Sequence, residues 1–459
     1  MFPRTPALAA ALLLAALAPL APSLAAPSAA PSLAPALAGA LHVDAAALDA
    51  GPVALRAAVQ AWDARLGVAR APGALDVLDA VEPSLAAPVA RLLNALLQAQ
   101  AIRDEAFAGI ADAEILWAME HSSDPRAQAI AARAHSGPLR TAAVGLAAVV
   151  DATLPELQAY RASLPGATRL VSGPPTIDVP PVLVMDPTVG DTIYTKDAVL
   201  AIDVGGNDLY DMNAGGGIIG IGLIDTDPST CQLVLGSVAI GCEEHDATQT
   251  VTAALAIDLA GDDTYGFYEP PRPGGRDIRC TSDLIIREIV LQGSASGGLG
   301  MLVDATGNDV YNGKTLAQGN GHVAGVGVFF DLTGDDTYNV IREGPGSAAL
   351  GAAGFFQDLD GNDRYDYHSP TGGIWNADSG RCDATARFGL GASIIAGSAN
   401  FLDAQGDDVY RIESQAFGNN GGAGTAVFVD AGGNDDYGGF PGVGNGVQVQ
   451  GAGTLFKDV

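Results

Sequence analysis

Seven copies of one short phrase hold the residues of this chain best suited to chemistry. Each runs, with one exception at its first place, apolar residue, Asp, two variable residues, Gly, Asn or Asp, Asp, one variable residue, Tyr. The copies are IDVGGNDLY from Ile202, IDLAGDDTY from Ile257, VDATGNDVY from Val303, FDLTGDDTY from Phe330, QDLDGNDRY from Gln357, LDAQGDDVY from Leu402 and VDAGGNDDY from Val429. The donors they offer are Asp203, Asn207 and Asp208 in the first copy; Asp258, Asp262 and Asp263 in the second; Asp304, Asn308 and Asp309; Asp331, Asp335 and Asp336; Asp358, Asn362 and Asp363; Asp403, Asp407 and Asp408; and Asp430, Asn434 and Asp435 in the last. Clustered carboxylate, amide and backbone oxygens form the ligand set of a hard divalent cation, and calcium tolerates irregular geometry better than magnesium. Turn formation accounts for part of the phrase. In Asp331 to Asp336 the first Asp can close an Asx-turn, Gly334 can take a positive φ, and Tyr338 resumes extended chain. It does not account for a further Asp directly after the Asn or Asp in all seven copies.

The elements that must position these residues follow from the spacing. The first Asp falls at 203, 258, 304, 331, 358, 403 and 430, in steps of 55, 46, 27, 27, 45 and 27. The unit is therefore 27 residues, with insertions in the longer steps, and a fixed period in this range means stacked units sharing one core. A degenerate copy, MDPTVGDTIY, starts at Met185, and the chain ends at LFKDV, where a further turn begins. Within a unit, Gly325 to Phe330 alternates small and large residues, the period-two pattern of a strand with one packed face. The expected fold is mainly β: a β-solenoid of about eight 27-residue coils over residues 186–459, preceded by a small α-helical domain. A β-propeller is the alternative, though 27 residues fall short of the ~40–45 of a four-stranded blade. In register, equivalent carboxylates stand ~4.8 Å apart and repel by about 0.9 kcal/mol in water, more where water is excluded. The second half holds too few basic residues to pair them, so bound calcium is the expected compensation.

The turn phrase resembles the haemolysin-type calcium-binding repeats of repeats-in-toxin (RTX) proteins. The likeness is carried by Gly205-Gly206-Asn207-Asp208, by Gly432-Gly433-Asn434-Asp435 and by the Gly-(Asn/Asp)-Asp-x-Tyr endings elsewhere. The resemblance implies parallel β-rolls with calcium between successive coils. It covers about nine residues of each unit across residues 203–437, with one phrase per 27 residues instead of tandem nonapeptides, and with Asp in place of the family's first Gly. Asp358-Leu-Asp360-Gly-Asn-Asp363 also begins like the aspartate-rich loops of calmodulin-like, dockerin and integrin propeller proteins, but lacks their closing Glu.

The rest of the chain divides by composition. Arg4, the apolar run Ala7 to Leu20 and Ser23-Leu24-Ala25 read as a secretory signal over residues 1–25, too short in its apolar part for a span of ~20 residues. Residues 26–42 read as an Ala/Pro/Ser linker. Residues 43–165 are Ala- and Leu-rich with helical spacing, as in Val89, Leu92, Leu93, Leu96 and Leu97, and Pro and Gly punctuation suggests about five helices. Trp62, Trp117 and Met119 read as core. Residues 166–185 read as a Pro-rich linker. Of the chain's 53 acids and 23 bases, 38 acids and 12 bases lie in residues 186–459, so the net charge of -30 belongs mostly to the repeats. Such a charge disfavours nucleic acid and anionic membrane surfaces. No membrane span is expected in the mature chain.

The three insertions, residues 212–250, 267–295 and 367–395, follow the phrase's Tyr and hold all four cysteines. In an exported chain an even count reads as disulfides, here Cys231 with Cys242 and Cys280 with Cys382. Insertions are where repeat arrays carry specificity, so Tyr268, His368 and Trp375 are candidates for contact with extracellular carbohydrate or a surface protein. His245 and His322 lack an evident nucleophile partner, and no G-x-S-x-G, H-E-x-x-H, P-loop or dinucleotide fingerprint occurs. The expected function is a secreted, calcium-stabilised structural or adhesive protein with no catalytic residue assigned. The competing reading is a β-helix enzyme acting on extracellular polysaccharide.

Overall fold

The computed structural model describes residues 32–165 other than 46, 49 and 50, residues 173–217 other than 211, and residues 252–266, 292–367, 389–412, 424–439 and 453–458. It also describes short stretches at 232–235, 238–241, 374–376, 381–383, 417–418 and 420. The chain combines a small helical amino-terminal part with a large β part whose strands pair almost entirely in parallel.

Each repeat contributes one strand to the same long sheet. Its strands run, in spatial and chain order, Ile177–Val179, Leu183–Asp186, Leu200–Asp203, Ala253–Asp258, Leu299–Asp304, Val326–Asp331, Ala353–Asp358, Ser398–Asp403, Thr425–Asp430 and Gly453–Asp458. Only the first pair is antiparallel. The parallel register aligns the strand-ending Asp of one repeat with that of the next, for example Asp304 with Asp258 and with Asp331. The ladder includes Asp186 of the degenerate copy and Asp458 of the last strand. A second, eight-stranded parallel sheet aligns Tyr194, Tyr210, Tyr265, Tyr311, Tyr338, Tyr365, Tyr410 and Tyr437. A third, of two-residue strands, joins Ala295–Ser296, Gly321–His322, Ala348–Ala349 and Ser393–Ile394. A β-propeller is built from antiparallel blades, so pairing of each strand with its counterpart one repeat away rules that alternative out.

Strand parity dictates what lies between the sheets. In Val326–Asp331, residues 327, 329 and 331 share one face, so Asp331 points the same way as Phe329. That face closes on the tyrosines. Phe329, Phe356, Phe401 and Phe428 stack at 4.9–5.0 Å, and Phe329 meets Tyr338 edge to face at 5.9 Å.

The opposite face of the long sheet was expected to be open, yet Val326, Val328 and Phe330 are as buried as Phe329. The helical part covers it. Helices α1 (Leu33–Leu41), α2 (Leu55–Leu66), α3 (Pro83–Ala106), α4 (Asp112–Glu120), α5 (Pro125–Ala131) and α6 (Ser136–Ser163) match the five helices expected within residues 43–165 and add one before them. α3 packs on strands Ala253–Asp258 and Leu299–Asp304, α6 on Val326–Asp331 and α1 on Ala353–Asp358. One apolar cluster runs from Leu37, Trp62, Leu93 and Leu146 into Leu255, Met301, Val328 and Phe355. Polar contacts pin the join: the Arg103 Nε donates to the Gly297 carbonyl at 2.8 Å and the Thr252 hydroxyl to Gln100 Oε1 at 2.8 Å. Trp62 is buried and donates to the Leu93 carbonyl at 2.9 Å, and Met119 is buried, whereas Trp117 is only partly covered, stacked on His121.

Two stretches expected as linkers carry structure. Within 26–42, α1 buries Leu33, Leu37 and Leu41, one turn apart, and Asp151 of α6 caps it, accepting from the backbone N–H of Leu33 at 2.7 Å and of Ala34 at 2.9 Å. A cap supplied from 118 residues away leaves no local signal in an Ala/Pro-rich stretch. Within 166–185, Ile177–Val179 and Leu183–Asp186 form the antiparallel head of the long sheet. Residues 1–25, expected as a signal segment, Tyr268, His368, Cys231, Cys242, Cys280 and the side chains of Trp375 and Cys382 lie outside the described residues.

Candidate metal centre

The two outer donors of each phrase are drawn inward. Asp203, Asp258, Asp304, Asp331, Asp358, Asp403 and Asp430, at the strand ends, are no more than 2% exposed. Asp208, Asp263, Asp309, Asp336, Asp363 and Asp408, five residues further on, are no more than 3% exposed, and Asp435 is half-buried. Among the described residues none of them forms an ion pair with Lys or Arg.

Each carboxylate has at least one oxygen engaged. The Oδ2 atoms of the strand-end Asp residues accept from tyrosine hydroxyls of the repeat before: Tyr194 to Asp203 at 2.6 Å, Tyr265 to Asp304 at 2.7 Å, Tyr311 to Asp331 at 2.7 Å, Tyr338 to Asp358 at 2.6 Å, Tyr365 to Asp403 at 2.8 Å and Tyr410 to Asp430 at 3.0 Å. Tyr210 donates in the same way to Asp258. The Oδ1 atoms of the second ladder accept a backbone N–H of the preceding repeat, as in Asp309 to Asp336 at 2.6 Å, Asp336 to Asp363 at 2.7 Å and Asp363 to Asp408 at 2.7 Å.

Nine of the remaining oxygens are buried without a hydrogen-bond partner: Oδ1 of Asp304, Asp331, Asp358 and Asp403, and Oδ2 of Asp208, Asp263, Asp336, Asp363 and Asp408. A buried acceptor left unmatched costs about 1–3 kcal/mol, more when charged. The carboxylates converge in triads with ligand atoms within 4.8 Å of one another: Asp203, Asp208 and Asp258; Asp263, Asp304 and Asp309; Asp309, Asp331 and Asp336; Asp336, Asp358 and Asp363; Asp363, Asp403 and Asp408. From the second triad onward, Asp309, Asp336 and Asp363 each belong to two.

The electrostatics state the same conflict. Burial, then neighbouring carboxylates, pushes Asp336 up to about 11 and Asp309 to about 11. Burial lifts Asp331 only to about 6, because Tyr311 and Tyr338 donate to it. Asp304, Asp358 and Asp403 are raised well above the usual carboxylate range by burial and by adjacent Asp residues. Packed this densely, these groups must take up protons or a cation.

The middle donors stand apart. Asn207, Asp262, Asn308, Asp335, Asn362, Asp407 and Asn434 are exposed and form their own ladder, each Oδ1 accepting the backbone N–H of the next, as from Asp335 to Asn308 at 2.8 Å and from Asn362 to Asp335 at 2.8 Å. Starting at Asp191, this ladder alternates Asp and Asn without a break, which keeps like charges two repeats apart and lets the Asn362 amide donate to Asp335 at 3.0 Å. The structure therefore divides the seven trios of expected ligands into fourteen inward carboxylates and seven outward residues. The sequence reading missed the tyrosines' role, although the fixed Tyr of the phrase was the signal for it. His322 is buried beside Glu343, away from the triads.

Glycine at the turn answers a different need from the one expected. Gly334 does not have a left-handed φ; a Cβ there would lie 1.8 Å from the Gly307 carbonyl oxygen and 2.9 Å from both Asp336 carboxylate oxygens. Close passage of consecutive turns, not backbone handedness, requires it. The Asx-turn does form, with the Ala260 N–H donating to Asp258 Oδ1 at 2.9 Å and that of Gly205 to Asp203 at 2.5 Å. Set against protein-family models, curated proteins and solved structures, the chain matches none of them, and the likeness to haemolysin-type repeats rests on the turn phrase alone.

Proposed function

We propose that residues 186–459 wind as a β-solenoid stabilised by divalent cations, calcium above all, and that the chain serves as an exported structural or adhesive scaffold. The observation that carries this reading is the row of unpartnered, buried carboxylate oxygens converging between repeats. Two inward carboxylates per repeat match the charge of one dication per repeat, so a file of such ions neutralises the column. Protons would have to supply two per repeat, each taken up on folding by an acid that is ionised in the unfolded chain at neutral pH, which costs stability. Oxygen donors of this hardness, in sites of irregular shape, favour calcium.

Export is supported by the composition of residues 1–25, and contact with carbohydrate or a surface protein by the insertions 212–250, 267–295 and 367–395. The reading as a polysaccharide enzyme receives less support, because a hydrolytic acid pair must reach its substrate and these acids lie beneath the turns. Circular dichroism of the full chain, stripped with chelator and titrated with calcium, tests the proposal. Recovery of β signal and of a cooperative melt is expected; identical spectra and melts with chelator and with calcium would overturn it.

A further inference from the structure

The tyrosine hydroxyls are placed with regularity along the whole β part. Rings of Tyr194, Tyr210, Tyr265, Tyr311, Tyr338, Tyr365, Tyr410 and Tyr437 stack at centroid distances of 4.4–5.0 Å, seven contacts in all. Every hydroxyl meets Oδ2 of a strand-end Asp. An apolar core does not need those hydroxyls; phenylalanine fills the neighbouring column at the same spacing.

We infer that the tyrosine column positions the cation sites and couples each to the next. The inference rests on the cation reading above and adds how the sites are set and how they fill. By holding Oδ2, a hydroxyl fixes the carboxylate's rotation and leaves Oδ1 as the free ligand atom, which is the atom found without a partner in Asp304, Asp331, Asp358 and Asp403. Tyr338 spans two sites: its hydroxyl lies 3.1 Å from Asp331 Oδ2 and 2.6 Å from Asp358 Oδ2, and those carboxylates belong to successive triads that already share Asp336. Tyr311 bridges Asp304 and Asp331 at 3.0 and 2.7 Å. An ion seated in one triad thereby orders a ligand of the next, so the column fills steeply over a narrow range of cation concentration. Tyr437, on the last described strand of its sheet, donates to Asp430 at 2.6 Å.

Terbium(III), which takes the oxygen ligands of calcium and luminesces when excited through nearby tyrosine, is the probe. The full chain is titrated with terbium alone, and calcium is then added in competition. Wild type is expected to give a steep isotherm with tyrosine-sensitised emission. Tyr338→Phe keeps the ring stack and should lose about two ions or weaken binding about tenfold or more, the usual cost of removing an outer partner of a ligand, with a shallower isotherm. Tyr437→Phe should lose at least about one. Phe356→Leu disturbs ring packing without touching an oxygen and should lower the melting temperature while leaving ion number and steepness unchanged. If Tyr338→Phe fails to fold, the comparison of Tyr437→Phe with Phe356→Leu still decides. Wild type that binds neither terbium nor calcium would overturn the cation reading itself. Wild type that binds, with both tyrosine variants matching it in number and steepness, would overturn the positioning role alone.

Discussion

The backbone N–H of Asp309 donates to the carboxylate of Asp336 at 2.6 Å, one 27-residue repeat further on. The same bond recurs from Asp208 to Asp263, from Asp336 to Asp363 and from Asp408 to Asp435. Backbone donors hold one oxygen of each of these acids, so the carboxylates are clamped facing one another in a buried file. Like charges clamped this closely have to be relieved by protons or by a bound cation.

Asp336→Asn separates a cation from a proton as that partner. The amide oxygen can still accept from Asp309, but one charge is removed. In chelator the variant should melt higher than wild type, since a crowded acid has been neutralised; in millimolar calcium it should melt lower, since a shared ligand has been lost. A reversal of rank between the two buffers, read by calorimetry, is the expected outcome. The same rank in both would favour protonated acids.

The metal-free protein should lose stability as pH rises. Burial lifts Asp331 to about 6, Asp408 to about 7 and Asp208 to about 8, against about 3.9 for an unfolded Asp. For an acid whose folded value is raised, the stabilising contribution is full below the unfolded value and disappears as pH climbs through the folded one. In chelator the melting temperature should therefore fall between about pH 4 and pH 8, and calcium should restore most at the upper end. A flat profile in chelator would count against the burial of these groups.

Gly334→Ala should destabilise by at least about 2–3 kcal/mol, the scale of overpacking without room to relax. The added carbon meets the Gly307 carbonyl of the turn before and the Asp336 carboxylate. Denaturant unfolding measures the loss, and an unchanged midpoint would mean that consecutive turns do not pass this closely.

Asp151→Ala removes the acceptor for Leu33, Ala34 and Ser32 at the start of α1. A loss of about 1 kcal/mol, typical of an N-cap, is expected, with faster hydrogen exchange confined to residues 33–41. Exchange equal to that of wild type would show that α1 is held by its leucines alone.

Much of this architecture was legible in the sequence, because a repeat writes its period directly. The 27-residue steps gave the layers, and the strand-ending Asp gave their register. What was not legible depends on contacts between distant parts. Nothing near Val326, Val328 and Phe330 says that α3 and α6 cover them, and α1 takes its cap from residue 151. The repeated donors were legible as a set of candidates, but their division into inward and outward ladders follows from strand parity and the path of the turn. Tyr338 was read as a residue resuming the strand; only the packed interior reveals its hydroxyl between Asp331 and Asp358.

The most direct test is the metal content of the full chain. After equilibration with calcium at neutral pH and removal of free ion by gel filtration, elemental analysis should find about one calcium per triad. That means about six per chain from the five triads given above and one further group of the same kind, and chelator should remove them together with the cooperative melt. Protein carrying no divalent metal after this treatment, and melting alike with and without chelator, would contradict the account.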